Sequence, residues 1–444
     1  VIAPLAFADL KLEPYWWEAA PLAADGGERP PSTADVAVVG AGYTGLAAAL
    51  RLARGGRSVV VLEAAAPGEG ASTRNGGITS GNIKIPFSTL IDTYGLDLAV
   101  ALYAEGKRAR QALQELIDGE RIACDYQACG RFTGANTPAH YGELAREADL
   151  LRKHVGIEAE MVTRAEQTRE LGTDHYFGGE VRPDVGALHP ALFHKGLLER
   201  AKAAGAVVVG RARVRAVVPV GRGFEVATAK GSVIVRDALI ATNGYTGPAT
   251  PWFHRRVIPI RSQIIATEPL RPDVMKRLMP KGRVLGDTGR LYNYYRPSPD
   301  GRRILFGGRA GADKVDPRLS GAHLYRNLVA VFPELAGVGI THSWSGYVAY
   351  TFDLLPHVGR HDGVHYALGY CGSGVVWAPW LGDKAALRIL GRAGEAESTL
   401  DHFPIQAVPI YHGRPWFLPA VMAWYGFRDR LDQAKARKAR AAQA

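Results

Sequence analysis

Residues 38–50 read VVGAGYTGLAAAL, and residues 58–64 read SVVVLEA. Gly40, Gly42 and Gly45 are spaced G-x-G-x-x-G between an apolar, β-branched run and a segment of helical composition that stops at Gly55-Gly56. The first glycine permits a tight turn, the second lets a pyrophosphate approach the backbone, and the third lets helix and strand pack closely. Tyr43 and Thr44 open the helix, whose N-terminus faces the negative charge. Glu63, followed by Ala64, closes the second strand, where a carboxylate accepts ribose hydroxyls and disfavours a 2′-phosphate. Together these features make one βαβ unit that binds a dinucleotide. The unit alone leaves NAD and FAD open.

Further along, GASTRNGG (70–77) gathers Ser72, Thr73, Arg74, Asn75, Gly76 and Gly77 directly behind the second strand. Its expected task is to run backbone and polar groups past a flat, polar ring. LGYCGSGVVWAPWLG (368–382) again places glycines between a strand and a helix, with Tyr370, Gly372, Ser373, Gly374 and Val375 at the turn. A helix N-terminus there presents N–H groups and partial positive charge, which suits a flavin ring that becomes anionic on reduction.

The remaining chain is read more coarsely. Residues 95–119 have a helical pattern, residues 189–210 read as helix then strand, and residues 237–246 as a buried strand ending in a turn at Thr242, Asn243 and Gly244. From 255 to 310 the texture is of strands, with SPDGR as a hairpin turn. The expected class is α/β: a Rossmann-like nucleotide-binding domain carrying an inserted, mixed β-sheet (α+β) substrate domain. The expected segments are 1–84 (with an N-terminal arm), 156–250 and 341–444 for the first domain, and 85–155 and 251–340 for the second.

Composition narrows the class. With 444 residues, 47% hydrophobic and 22% charged, the chain can bury cores for about two domains. Net charge is +11, from 54 Lys+Arg against 43 Asp+Glu, but the basic residues are scattered outside the tail. No zinc-finger spacing or basic/aromatic strip is present, so nucleic acid is not the expected partner and an anionic cofactor or substrate is. The three cysteines, Cys124, Cys129 and Cys371, have no metal spacing, so no metal is expected and a reducing cytoplasm is. The first 17 residues carry Asp9 and Glu13 and lack a basic stretch, which does not read as a signal peptide. No run reaches the roughly 18 apolar residues of a membrane span. The segment 414–440 is aromatic first and basic after, expected either to dock on the nucleotide domain or to rest on a membrane surface.

In order along the chain, PYWW (14–17), VVGAGYTGLAAAL, GASTRNGG, ATNGYT (241–246), SPDGRRILFGGR (298–309), FDLLPHVG (352–359) and GYCGSG (369–374) resemble the D-amino-acid oxidase/glycine oxidase superfamily. The gamma-glutamylputrescine oxidase branch is the nearest in look. The resemblance implies FAD, stretched between the turn at 40–45 and the helix end at 372–375, and two-electron oxidation of a carbon–nitrogen bond, with O2 or another acceptor taking the electrons.

Departures from the family's pattern sharpen this expectation. Asn75 and Gly346 stand where some members link the flavin covalently, which implies non-covalent FAD. Val348 and Val376 stand where others hold an α-carboxylate, which turns the expected substrate towards an amine with any acidic group remote. Leu305 stands nearest to a lysine that assists oxygen activation in others, and a glycine commonly replaces Thr73. Expected substrate contacts are Tyr294, Arg309, Tyr347 and His323, with Trp344 and Trp377 as apolar walls. The alternatives are an oxidase or dehydrogenase of D- or N-methyl amino acids, an NAD(P)H-dependent flavin hydroxylase, and a non-catalytic FAD-binding protein.

Overall fold

The computed structural model describes residues 7, 9–23, 27–311 and 316–441, so parts of the N-terminal arm and the last three residues of the basic tail lie outside the described residues. Strands Thr33–Val39 and Val59–Leu62 pair in parallel, as their buried VAVV and VVVL runs require. The first also pairs in parallel with Gly231–Ile240, and the second with Val207–Val209. Val364–Leu368 adds in parallel beyond Gly231–Ile240, and His357–His361 closes that side antiparallel. A hairpin, Val214–Val220 and Gly223–Thr228, hangs from Gly231–Ile240. The mixed, largely parallel sheet is the expected Rossmann-like one.

Helix Tyr43–Arg54 is almost wholly buried against this sheet and ends at Gly55-Gly56, where Gly56 has φ +78°. Helix Gly374–Ile389 crosses it at close range. A Cβ at Gly382 would sit 2.3 Å from the Thr44 carbonyl oxygen, so only glycine allows this approach. Helices Leu96–Gly119 and Pro190–Ala203 complete the core.

The second sheet has eight strands in the order Ile340–Tyr350, Ile258–Thr267, Ile304–Gly311, Tyr294–Pro297, Val284–Asp287, Arg131–Gly134, Gly179–Arg182 and Glu160–Val162. All neighbours are antiparallel except Val284–Asp287 with Arg131–Gly134. Helix Pro317–Val331 covers one face through Leu324, Leu328 and Val331, against Ile265, Tyr295 and Phe306. The opposite face meets the first domain.

Segment membership differs from the expectation in three places. Helices Phe87–Tyr94 and Leu96–Gly119, expected in the second domain, pack into the core of the first. Glu160–Val162 and Gly179–Arg182 pair into the second sheet, not the first. Ile340–Tyr350 is the longest strand of the second sheet, although residues from 341 onward were expected to close the first domain. The last two follow from pairing between distant segments, which local composition does not encode.

Helix Leu418–Ala441 docks beside the second sheet, and Leu418 also packs with Cys371 at the turn of the first domain. Arg290 and Leu291, beside the second sheet, donate backbone N–H groups to Asp429, and the Arg290 guanidinium bonds Asp429 and Asp432. Trp416 and Trp424 stay 63% and 55% exposed. Among the described residues no helix is long and apolar enough to cross a membrane, and no cluster of three or more His, Cys, Asp or Glu could hold a metal.

Candidate functional site

Where the first strand ends, Gly40 has φ +107°, and a Cβ on it would lie 2.9 Å from the Ala241 carbonyl oxygen. A Cβ on Gly45 would lie 1.9 Å from the Gly40 oxygen, so helix and turn meet in van der Waals contact. Gly42 caps the helix without a side chain, and the Ser72 hydroxyl accepts the Tyr43 N–H at 3.0 Å. His194 steadies the turn. Burial holds its imidazole below the ordinary histidine range, hence neutral, and Nε2–H donates to the Ala41 oxygen at 2.7 Å.

Glu63 lies at the end of the second strand and accepts the Ala41 N–H at 2.8 Å and the Ala65 N–H at 3.2 Å. Burial pushes its carboxyl above the ordinary range, against the lowering effect of these N–H groups. The acceptor capacity these N–H groups leave is available to a ligand in the groove that Glu63 lines.

That groove encloses about 680 Å³. Of the expected cofactor contacts, Gly40, Gly42, Tyr43, Thr44, Glu63, Ala64, Ser72, Asn75, Thr242, Asn243, Tyr370, Gly372, Gly374 and Val375 line it. Gly45, Thr73, Arg74, Gly76, Gly77, Gly244 and Ser373 do not; they stand behind the lining and shape it. Ala41, Gly68–Ala71, Arg213–Arg215, Tyr245 and Cys371 line it too; of these Gly68, Glu69 and Arg213–Arg215 lie outside every motif read from the sequence.

The loop at 70–77 is held mainly by its own side chains. Asn75 Nδ2 donates to the Ala71 and Ser72 oxygens, and its Oδ1 accepts the Gly77 N–H. Arg74 donates to Glu69 O and Ser345 O, stapling the loop to the second sheet, and lies 4.7 Å from the centroid of Trp17. The PYWW arm closes over it: Trp16 Nε1–H donates to Asn75 O, and Trp17 Nε1–H donates to the Thr73 hydroxyl. Thr73, the departure from glycine, is therefore an anchor for the arm.

At the far end of the groove the chain turns through Gly369, Cys371 and Gly372, with φ of +83°, +49° and +106°. Helix Gly374–Ile389 begins there with no side-chain cap, leaving its first N–H groups for a ligand. The Asn243 side chain accepts the Gly369 N–H, and Tyr370 donates to Ala367 O while accepting from the Thr44 hydroxyl.

A glycine cradle, a carboxylate with open acceptor positions and a second uncapped helix end share one groove, which is the outline of a dinucleotide. Comparison with known proteins agrees. Residues 35–388 match the DAO family model, described as FAD dependent oxidoreductase. The chain belongs to this family. It is 32% identical over 411 residues to a probable oxidoreductase OrdL of Rhizobium meliloti, covering 90% of this chain and 92% of that one. It is likewise 32% identical over 406 residues to gamma-glutamylputrescine oxidoreductase of Escherichia coli, covering 90% and 93%. Its fold is that of glycine oxidase from Geobacillus kaustophilus, with a TM-score of 0.70 at 21% identity over 85% of this chain and 99% of that one. The protein is thus an FAD-dependent oxidoreductase, and the groove's residues fit that cofactor.

The expected substrate contacts separate in space. Tyr347 lines the groove and meets Tyr245 edge-on at 5.4 Å. Tyr294 lies across Gly307 and under Gly76, with its hydroxyl 3.0 Å from the Ser262 hydroxyl. Arg309 donates to the Tyr350 hydroxyl and stacks near Tyr292 and Tyr350. Trp344 is not a cavity wall: it is fully buried, and its Nε1–H donates to Arg74 O at 3.0 Å. Trp377 is equally buried, inside the helical core. His323 lies on the exposed side of its helix beside Arg326, away from the groove.

Gly346 faces the Arg74 side chain, where a Cβ would come within 3.1 Å. With neither a histidine at Asn75 nor a cysteine at Gly346, FAD is expected in the supernatant after acid precipitation of the holoenzyme. Flavin colour retained in the washed pellet would refute this.

Proposed function

We propose that this enzyme oxidises the carbon–nitrogen bond of a primary or secondary amine that lacks a neighbouring carboxylate. The observation that carries the reading is the lining at the flavin end of the groove, where Val348, Ala349 and Val375 stand beside Gly372 and Gly374. An α-carboxylate placed there would lose its hydration with no cation to receive it, which is costly. The relationship to gamma-glutamylputrescine oxidoreductase supports the same substrate class.

In this reading the turn at Gly40, Gly42 and Gly45 holds the pyrophosphate of FAD, Glu63 its ribose, and the N–H groups at Gly372–Val375 the pyrimidine edge of the ring. When bound, FAD would supply the two-electron acceptor for the hydride that leaves the carbon next to nitrogen. The chain's part is to orient that carbon and exclude water, and Tyr347 and Val348 supply the wall for it. The Arg309 guanidinium lies against Tyr292 and Tyr350, whose hydroxyls approach Gly372, and a positive charge there would disfavour a protonated amine. Water then converts the released imine to an aldehyde or ketone plus ammonia or an amine.

Anaerobic mixing of holoenzyme with a panel of amines tests the proposal. Long-chain primary or N-alkylated amines are expected to bleach the flavin faster than glycine, sarcosine or D-alanine, and faster as pH rises towards the bound amine's pKa. Fastest bleaching by glycine or D-alanine would overturn it, as would stoichiometric NAD(P)H consumption with an oxygenated product. We further propose O2 as the acceptor, to be read as hydrogen peroxide formed per amine consumed.

Glu63→Gln tests the ribose contact. The amide cannot accept from both Ala41 and Ala65 while also serving the ribose, and losing a charge-assisted bond costs about 1.5–3 kcal/mol. The FAD dissociation constant should rise roughly ten- to a hundredfold. An unchanged constant would remove Glu63 from the ribose.

We also propose a cytoplasmic enzyme, in keeping with three free cysteines, that can touch a membrane surface through its C-terminal helix. Exposed Trp416, just before the helix, and Trp424 and Phe427 within it are followed by Arg428, Lys435 and Lys438. Flotation with anionic but not zwitterionic vesicles is the expected result, and absence from both floated fractions would refute the contact.

A further inference from the structure

A second cavity, of about 450 Å³, opens beside the PYWW arm and shares no lining residue with the cofactor groove. Tyr15 and Glu18 of the arm, Asp125 and Tyr126, His189, and Asp300 of the hairpin turn stand in its wall. The chain carries a net charge of +11, yet this wall holds three carboxylates and no Lys or Arg.

His189 is only 3% exposed, and one of its two ring nitrogens is unused. Nδ1 accepts the Leu192 N–H at 3.2 Å, so Nε2 carries the hydrogen, and that N–H has no acceptor among the described residues. Burial holds the imidazole down at about 4, which leaves it a neutral donor at ordinary pH. A buried donor with no acceptor is costly unless something entering the cavity completes it. Asp125, whose charge acts on the same ring, has no hydrogen bond or ion pair among the described residues. Asp300 Oδ1 takes the Ser298 hydroxyl and the Arg302 N–H, and Glu18 Oε1 takes Lys11 and His342. The second oxygen of each is left without a partner among the described residues.

Nearby cations stand behind this wall. Arg303 donates to the Thr267 oxygen and the Thr341 hydroxyl, 5.6 Å from the Tyr15 ring centroid. Arg296 is buried beside Trp16 and donates to the Leu188 and Pro297 oxygens. Among the described residues no group of His, Cys, Asp or Glu could hold a metal, so the wall fits an organic cation.

The same wall leads to the cofactor by two routes. Next to Tyr15 in the arm, Trp16 and Trp17 bond Asn75 O and the Thr73 hydroxyl in the 70–77 loop. His189 caps helix Pro190–Ala203, in which Pro190 O accepts the Tyr43 hydroxyl and His194 holds the Ala41 oxygen of the glycine turn.

We infer that this cavity is a second ligand site, taking an organic cation that carries a hydroxyl or carbonyl oxygen, and that its occupancy tightens the hold on FAD. The charge meets the unused oxygens of Asp125, Asp300 and Glu18 and the Tyr126 ring, and the oxygen accepts from His189 Nε2–H. Occupancy fixes the arm and the cap of helix Pro190–Ala203, so it favours the arrangement that grips the cofactor. By linkage, bound FAD tightens the cation to the same degree. The site is independent of the amine that reduces the flavin.

Choline is the probe, because it has the charge and the oxygen while its nitrogen has no lone pair to support oxidation. 3,3-Dimethylbutan-1-ol has its shape without the charge. Calorimetric titration of the holoenzyme should show choline binding at least roughly tenfold tighter than the alcohol. Asp125→Asn should lose about tenfold in choline affinity, with FAD content and choline-free melting temperature like wild type, since Asp125 is exposed and bonds nothing there. His189→Asn keeps an oxygen to cap Leu192 but loses the Nε2–H, and should weaken choline by about as much. Choline should slow FAD release from wild type, and apoprotein should bind choline more weakly by the factor that choline tightens FAD. Equal affinities for choline and the alcohol, or unaltered choline binding in Asp125→Asn, would overturn the site. Choline that competes with a reducing amine equally in wild type and Asp125→Asn would place the cation in the cofactor groove, and the second site falls. Identical choline affinity in apoprotein and holoenzyme would remove the link to FAD.

Discussion

Gly45→Ala is expected to purify without FAD and with a markedly lowered melting temperature. The added methyl would sit 1.9 Å from the Gly40 carbonyl oxygen and 3.0 Å from Val38 Cγ1. The first obstacle is backbone, in the turn that ends a fully buried strand, and cannot step aside. Helix Tyr43–Arg54 must move away instead, and it is itself wedged against helix Gly374–Ile389 by the Gly382–Thr44 contact. Overpacking of this kind costs about 1–3 kcal/mol in an adaptable core, and more where both sides are fixed. Gly42→Ala is the informative contrast. Its methyl would meet only the Ser72 hydroxyl at 2.9 Å, a side chain that can rotate. That variant should keep the apoprotein's melting temperature and lose FAD, because the methyl then occupies the approach of the pyrophosphate. Flavin absorbance relative to protein, with calorimetry of the apo forms, reads both. Near-full FAD occupancy in Gly45→Ala would mean that the turn does not cradle the cofactor.

The same turn shows why part of this molecule was legible in its sequence. Each signal at 33–63 is local: two short β-branched runs, three glycines at fixed offsets, and one carboxylate. Local chemistry forces that geometry, and the family motifs at 70–77 and 369–374 extended it across the chain. The second sheet is less legible because its strands Arg131–Gly134, Gly179–Arg182 and Glu160–Val162 have only three or four residues and pair with distant partners.

Side-chain roles were least legible of all. Trp344 and Arg309 both lie on strands of the same sheet, yet Trp344 is sealed under the 70–77 loop while Arg309 bonds the Tyr350 hydroxyl. Tyr294 was an expected contact, whereas Tyr292 is the ring that Lys84 and Arg309 lie against.

Glu105→Ala is expected to destabilise the protein by about 3–5 kcal/mol, because three buried donors lose their shared acceptor and each unsatisfied group costs about 1–3 kcal/mol. Glu105 is wholly buried on helix Leu96–Gly119. It accepts Trp380 Nε1–H at 2.8 Å, the Ser398 hydroxyl at 2.7 Å and the Thr399 N–H at 2.7 Å. Alanine strands all three donors and leaves a void. Glutamine keeps the volume and one acceptor oxygen, so Glu105→Gln should cost less than alanine, and the order of the two variants identifies the lost bonds rather than the lost volume as the cause. The consequence reaches the active site through one element. Trp380 belongs to helix Gly374–Ile389, whose uncapped N-terminus ends the cofactor groove, and Glu105 is the polar tie holding that helix to its neighbour. FAD should therefore dissociate faster from Glu105→Ala even below its unfolding temperature. Equal melting temperatures for wild type and both variants would show that the three bonds contribute nothing net. A destabilised variant with unchanged FAD release would confine the role of Glu105 to the closing segment at 398–401.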